Sequence, residues 1–584
     1  MINTPPLLGN YKNLLLFIDS RRKIQFFFLL ILTIFSAIAE MLSIASVVPF
    51  VSLITDGSFT KEKFYLYKFV EFNNKEEAII YSGLIFSSLF LINSLSRILL
   101  IYVTTRLSQV TAAELSVKIF KAKLFDTYTN HISKNSSSLV SAITQKVYEM
   151  AVSISAVITL VSGTFIFICI ISILIWVNPK IMIISILFFG ILYFSLIIFG
   201  RKIVRTSSKI INEQQNNIVE ILQNGLGALR DIILDKSQYF YIQTFQKSVF
   251  EKAKKQTIVD FIQNSPRYIF EAMGIILFVG LLIYSSESSK SSEEFSSILP
   301  TLAALAIGSQ RILPLLNALY TNFVTLKGNL YQVAEVVDSL NQNLIKEEKE
   351  KLIIKKKIDL KNLISFNNVS FSYDKKNFIL KDINFQIKKG SRVGIIGKTG
   401  EGKSTFLDLL MGLLPPENGT IYIDDVELTQ DTNNSWQSKI SHVPQKIFLS
   451  NLSFLENIAF GIDINKIDRN RVELVSKKSQ IHEFIMKLEN KYLERVGERG
   501  IRLSGGQIQR IALARALYKN TEIIIFDEAT NSLDVATEKL IMKELYDLDK
   551  NLTVIMVAHR LNTLKDCDII FEIKDKKVSL IKID

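Results

Sequence analysis

The chain has 584 residues, 48% of them hydrophobic, with a mean hydropathy of +0.26 and a formal net charge of +13. The apolar excess sits before about residue 325, in runs long enough to cross a bilayer, so the basic balance reads as Lys and Arg in inward-facing loops rather than as a nucleic-acid surface. Two cysteines, Cys169 and Cys567, point to neither a disulfide framework nor a zinc site.

Taken in order, the chain opens on a polar stretch, and its first apolar run lacks a small-residue cleavage site. That run is expected to stay as a span rather than leave as a signal peptide. Residues 10–23 carry Tyr11, Leu14, Leu15, Leu16, Phe17 and Ile18 before Arg21-Arg22-Lys23, the pattern of a short amphipathic helix on the cytoplasmic surface. Six spans follow, at about 24–53, 78–103, 151–177, 181–199, 267–284 and 295–320. The third and fourth are joined only by Asn178-Pro179-Lys180, which implies a tight external turn. Two long polar stretches, 106–149 with six Lys/Arg and 200–266 with ten, fall on one side of the membrane. Both termini are therefore expected in the cytoplasm. A transmembrane domain over 1–325, a charged linker over 326–357 and an α/β domain over 358–584 complete the expected organisation.

Glu40, Arg97, Glu271 and Arg311 fall inside spans, where a charge costs about 2.5–3.5 kcal/mol on insertion scales. They are expected to face protein or a wet cavity, either as substrate contacts or as structural ion pairs such as Glu40 with Arg97. Arg201, Lys202 and Arg205 follow span four and read as interfacial anchors.

The second half turns on Gly397-Lys398-Thr399-Gly400-Glu401-Gly402-Lys403-Ser404, which fits G-x-x-x-x-G-K-[ST] at every fixed position. A strand-like run, Arg392-Val393-Gly394-Ile395-Ile396, precedes it, and a helix-like run begins at Thr405. Loop N–H groups and a helix N-terminus would face phosphate oxygens, Lys403 would reach the terminal phosphates, and the Ser404 hydroxyl would hold Mg²⁺. Ile523-Ile524-Ile525-Phe526-Asp527-Glu528 reads as an apolar strand ending in two acids, Asp527 for Mg²⁺ and Glu528 for the attacking water. Ser504-Gly505-Gly506-Gln507 opens a further helix-like run and so offers a second phosphate-facing N-terminus. Two such helix starts with one phosphate loop imply that two chains pair, each completing the other's site.

These motifs resemble, in order, the nucleotide-binding domain of ATP-binding-cassette transporters. Leu503 to Gln507 match that family's signature motif. The resemblance implies a Q-loop glutamine at Gln445, a D-loop at Ser532-Leu533-Asp534, a switch histidine at His559 and an adenine-stacking aromatic at Tyr373. It also implies ATP and Mg²⁺ as cofactors, with Gln445 joining Ser404 and Asp527 at the metal. Around Glu494 to Gly500 the chain resembles the exporter loop that meets the coupling helices, with Arg495 where an acid often stands.

The first half is similar to the six-span exporter domain of the same family. Residues 40–50 and 310–314 look like the subset that flips lipid-linked oligosaccharides in bacteria. The expectation is a homodimeric ATPase-driven flippase of the bacterial inner membrane. Its substrate would be a polyprenyl-pyrophosphate glycolipid, and Arg97, Arg267 and Arg311 would suit its pyrophosphate. A drug or lipid exporter shares the architecture. The stretch before span one leaves no room for the protease domain that peptide exporters often carry.

Overall fold

The computed structural model describes residues 13–14, 16–55, 75–133, 140–177, 179–288, 292–338, 340, 357–528, 540, 551–558, 564–565 and 567–581. The chain divides into two compact units, residues 1–126 with 131–347, and residues 127–130 with 348–584.

The first unit is helical. Its long elements are α1 (Ser20–Ala45), α2 (Val47–Thr55), α3 (Lys75–Leu124), α4 (Val147–Val177), α5 (Pro179–Gly227), α6 (Gln238–Asn264), α7 (Pro266–Ser288) and α8 (Ser292–Gly328). The expected first span is two helices, broken at Ser46. Pro49 is the physical reason, since its ring clashes with the carbonyl four residues back and it offers no N–H. α3 contains 50 residues, about 75 Å of helix, more than twice the thickness of a hydrocarbon core. Hydropathy falls after Val103, but helical backbone does not stop there, so span and polar extension are one rod. α5 behaves alike over 49 residues, opening on Pro179 at the first helical position, where the missing N–H costs nothing.

Among the described residues, four helical stretches are long and apolar enough to cross a membrane, within 20–51, 76–124, 143–176 and 186–227. The expected fifth and sixth spans fall on α7 and α8. Large apolar side chains point outward along these rods: Leu91 and Leu95 are each 65% exposed and Ile191 71%. Exposure on that scale suits a lipid-facing surface. Inside, Ala37 and Ile44 of α1 pack with Ile166, Ile170 and Leu174 of α4 and with Leu315 and Leu316 of α8. Leu14 and Phe17 are buried against Leu115, Ile119, Met150 and Val336. Leu14 and Phe17 of the expected surface helix are therefore held by protein contacts, while Leu16 stays exposed.

The second unit holds two sheets. One is antiparallel, in the order β2 (Leu380–Lys388), β1 (Leu363–Phe371), β4 (Asn418–Ile423), β5 (Val426–Glu427). The other runs β10 (Lys577–Ile581), β9 (Ile569–Lys574), β3 (Arg392–Ile396), β8 (Thr553–Val557), β7 (Ile523–Asp527), β6 (Ile440–Val443). Neighbours from β9 to β6 pair in parallel, and β10 closes the edge antiparallel. β3, β7 and β8 are almost continuously buried, as strands of a sheet covered on both faces must be. The chain leaves β3 between β8 and β9 and enters α9 (Lys403–Leu410). Asp527 ends β7 opposite Val557 in the same register, so the phosphate loop and the acid lie at the same end of the parallel strands.

Candidate nucleotide-binding site

The loop after β3 requires glycine for steric reasons. A Cβ at Gly397 would lie 2.6 Å from the carbonyl oxygen of Ile573 on β9. Gly402 caps α9 with φ +99, a left-handed backbone that a side chain resists. Lys403, the first residue of α9, is buried, and its Nζ donates to the carbonyl oxygens of Gly397 (2.7 Å) and Lys398 (3.2 Å). The ammonium thus lies across the mouth of the loop. Glu401 braces the loop by accepting from the Lys398 N–H at 2.8 Å. Tyr373 is half exposed, stands edge-on to Phe371, and its hydroxyl lies 3.3 Å from the Thr405 hydroxyl. An aromatic face beside the loop is what base stacking needs.

The two acids differ in environment. Asp527 is partly buried, and burial, then the neighbouring Glu528, push its carboxyl upward, while Lys403 opposes them. A divalent cation would relieve that cost, so the donor set fits Mg²⁺ held by few protein oxygens together with phosphate. Glu528 takes a left-handed backbone, φ +52, held by its N–H donating to the Val557 carbonyl at 3.0 Å. A non-glycine residue held there costs on the order of 1 kcal/mol. Its Oε2 accepts from Gln445 Nε2 at 2.6 Å. The structure therefore brings Gln445, Asp527, Glu528 and Lys403 into one cluster.

Ser504 caps α10 (Gly505–Tyr518) through a capping box. Its hydroxyl accepts from the Gln507 N–H at 3.3 Å, and Gln507 Oε1 accepts from the Ser504 N–H at 2.9 Å. The first-turn N–H groups of Gly505 and Gly506 have no intrahelical acceptor, as helix starts require. Arg515, on the same helix, donates to the carbonyls of Asn457 (2.9 Å) and Phe448 (3.1 Å) and lies over the Phe460 ring at 4.5 Å. It ties the signature helix to the segment after Gln445. His559 and residues 532–534 lie outside the described residues.

Asp408 is a site neighbour that no motif announces. Burial, then Asp527, push its carboxyl up to about 6. Tyr128, in the short stretch grouped with this unit, has its phenol raised by burial, then by Asp408 and Tyr373.

In the helical unit, Glu40 is fully buried between two arginines. Arg97 Nε lies 3.0 Å from its Oε2 and Arg311 Nε 3.6 Å from its Oε1. Both distances are ion-pair distances, yet neither oxygen accepts a well-directed hydrogen bond. Arg311 also stands over the Phe90 ring at 5.5 Å. Arg267 is not part of this group; its Nε donates to Glu271 on its own helix at 2.8 Å.

Residues 380–531 match the family model described as ABC transporter. The C-terminal unit is an ABC transporter ATP-binding domain. Among curated relatives, the ATP-dependent lipid A-core flippase of Saccharophagus degradans is 32% identical over 308 residues, 53% of this chain and 50% of that one. The ATM1-type heavy metal exporter of Novosphingobium aromaticivorans is 41% identical over 207 residues, 35% of this chain and 34% of its own. These alignments span half or less of the relatives' lengths. A solved bacterial Atm1-family ABC exporter with ATP bound covers 96% of this chain and 95% of its own, with a TM-score of 0.76 at 22% identity. The whole chain therefore has the ABC exporter fold, helical membrane unit first and ATP-binding domain second.

Proposed function

We propose that two copies of this chain form an ATP-driven transporter that moves an amphiphile across a bacterial inner membrane, with both termini in the cytoplasm. The carrying observation is the cluster of Lys403, Asp527, Glu528 and Gln445 in the same chain as helices of bilayer length. The loop N–H groups and Lys403 would hold the phosphates of ATP, and Tyr373 its base. Ser404, Asp527 and Gln445 would hold Mg²⁺, which when bound offsets phosphate charge. Glu528 would orient the attacking water, and the 2.6 Å bond from Gln445 keeps its carboxylate in place. His559, two residues beyond β8 in the sequence, would serve the same reaction. The signature N-terminus, Ser504 to Gln507, would face ATP held by the second copy, so hydrolysis would let the two domains part.

For the substrate, we infer a polyprenyl-pyrophosphate-linked oligosaccharide. Support comes from one carboxylate standing between two guanidiniums inside the membrane unit, a surplus positive charge suited to an anionic head. The lipid A-core flippase relative moves an amphiphile by its name, which favours the same class. A multidrug or lipid exporter is the second reading, supported by the shared fold. ATPase activity in liposomes, titrated with the glycolipid and in parallel with hydrophobic drugs, separates them. Stimulation by the glycolipid alone supports the first, and stimulation by drugs alone the second.

A further inference from the structure

The first turns of α1 and the middle of α3 line a cleft of about 470 Å³. Its lining includes Arg21, Phe28 and Leu32 of α1 with Tyr102, Val103 and Arg106 of α3. The two helices run antiparallel, with Arg22 bonded to Glu114 and Ser36 to Ser96, so Arg21 stands at the outermost turn of the cleft and Arg106 about level with Phe28. Phe28 and Leu32 lie about 10 and 16 Å deeper along α1, by helical rise. The cleft therefore carries both guanidiniums over its first two turns, with the apolar side chain of Leu32 beyond them.

Charge bookkeeping distinguishes these arginines from their neighbours. Arg22 is held by Glu114, donating from Nε at 3.0 Å and 3.1 Å to its two oxygens, and by Gln25 at 2.6 Å. Lys118 is held by Asp19 at 2.5 Å. Among the described residues Arg21 and Arg106 make no ion pair, and both are exposed. Two uncommitted guanidiniums beside an apolar wall complement an anion with a hydrocarbon tail.

We propose that this cleft binds a phospholipid with an anionic headgroup, its phosphate between Arg21 and Arg106 and an acyl chain along Phe28 and Leu32. The inference rests on the membrane reading but not on the identity of the transported substrate. The test is native mass spectrometry of the full-length protein with phosphatidylglycerol or phosphatidylcholine of matched chains. Wild type is expected to retain phosphatidylglycerol selectively. The double variant R21Q/R106Q is expected to bind it about thirtyfold more weakly. R21K/R106K should restore most of the affinity, and Leu32→Trp, which fills the wall while leaving both charges, should weaken it. Equal retention of the two lipids by wild type, or undiminished phosphatidylglycerol on R21Q/R106Q, overturns the proposal. So does spontaneous crosslinking of an Arg106→Cys variant to a second copy in intact membranes, which would show that the chain itself covers this face. A protein that fails to partition into membranes at all refutes the membrane reading instead.

Discussion

Replacing Glu40 with glutamine keeps the shape of the side chain and removes the carboxylate between Arg97 and Arg311. Removing one partner of a buried ion pair costs about 3–5 kcal/mol, because the other charge stays buried without compensation. Two features lower the figure here. The arginine side chains keep 32% and 30% of their exposure, and the pairs lack well-directed hydrogen bonds. A loss of about 2–3 kcal/mol follows. At about 2–4 °C per kcal/mol for a domain of a few hundred residues, the melting temperature should fall about 5–10 °C. The assay is thermal unfolding of the detergent-purified protein, followed by an environment-sensitive dye. Adding Arg311→Gln to Glu40→Gln removes one surplus charge and should recover part of the loss, so the two changes should not add. A single variant that melts like wild type, or a double variant whose effects simply sum, would refute the claim that this carboxylate pairs with both arginines.

Other outcomes follow from the ATP-binding domain and the membrane unit. Glu528→Gln should keep ATP affinity and lower turnover about 10²–10⁴-fold, read by nucleotide binding and phosphate release; wild-type turnover would remove Glu528 from the hydrolytic role. Tyr373→Ala should weaken ATP binding about tenfold, with a smaller effect on turnover at saturation, if the ring stacks on the base. Asp408→Asn should raise thermal stability at pH 7.5 by about 1 kcal/mol after allowing for partial exposure. The sign follows from its carboxyl being raised to about 6, so that its contribution is fully present below about pH 4 and lost as pH rises through 6. The advantage of the asparagine should accordingly fade between pH 6 and pH 4. Arg311→Ala should impair transport more than ATP hydrolysis; equal loss of both, with poor folding, would make Arg311 structural.

The phosphate loop was legible because its chemistry permits few alternatives. A Cβ at Gly397 collides with backbone, and the backbone at Gly402 is left-handed, so the glycines are dictated by geometry that a motif records. The fold class was legible because parallel strands buried on both faces, such as β7 and β8, leave continuous apolar runs that differ from the long runs of the first half. Helix ends were not. Hydropathy marks where lipid ends, whereas α3 continues to Leu124 with no hydrogen-bond reason to stop. The pairing of Arg311 with Glu40 joins residues far apart in the chain, and nothing local encodes it, although Arg97 was a nameable partner. Asp408 stayed hidden because a lone acid on a helix carries no signal until the fold sets it beside Asp527.

We propose that ATP hydrolysis in this chain moves a polyprenyl-pyrophosphate glycolipid between leaflets. The most direct measurement reconstitutes the purified protein in liposomes with a fluorescent glycolipid and follows the label's accessibility to a membrane-impermeant quencher, with wild type and Glu528→Gln side by side. The account expects ATP-dependent translocation by wild type and none by the variant, with a matched neutral lipid unmoved. Translocation that persists in Glu528→Gln, or a wild type that hydrolyses ATP while the glycolipid stays in its leaflet, would contradict it.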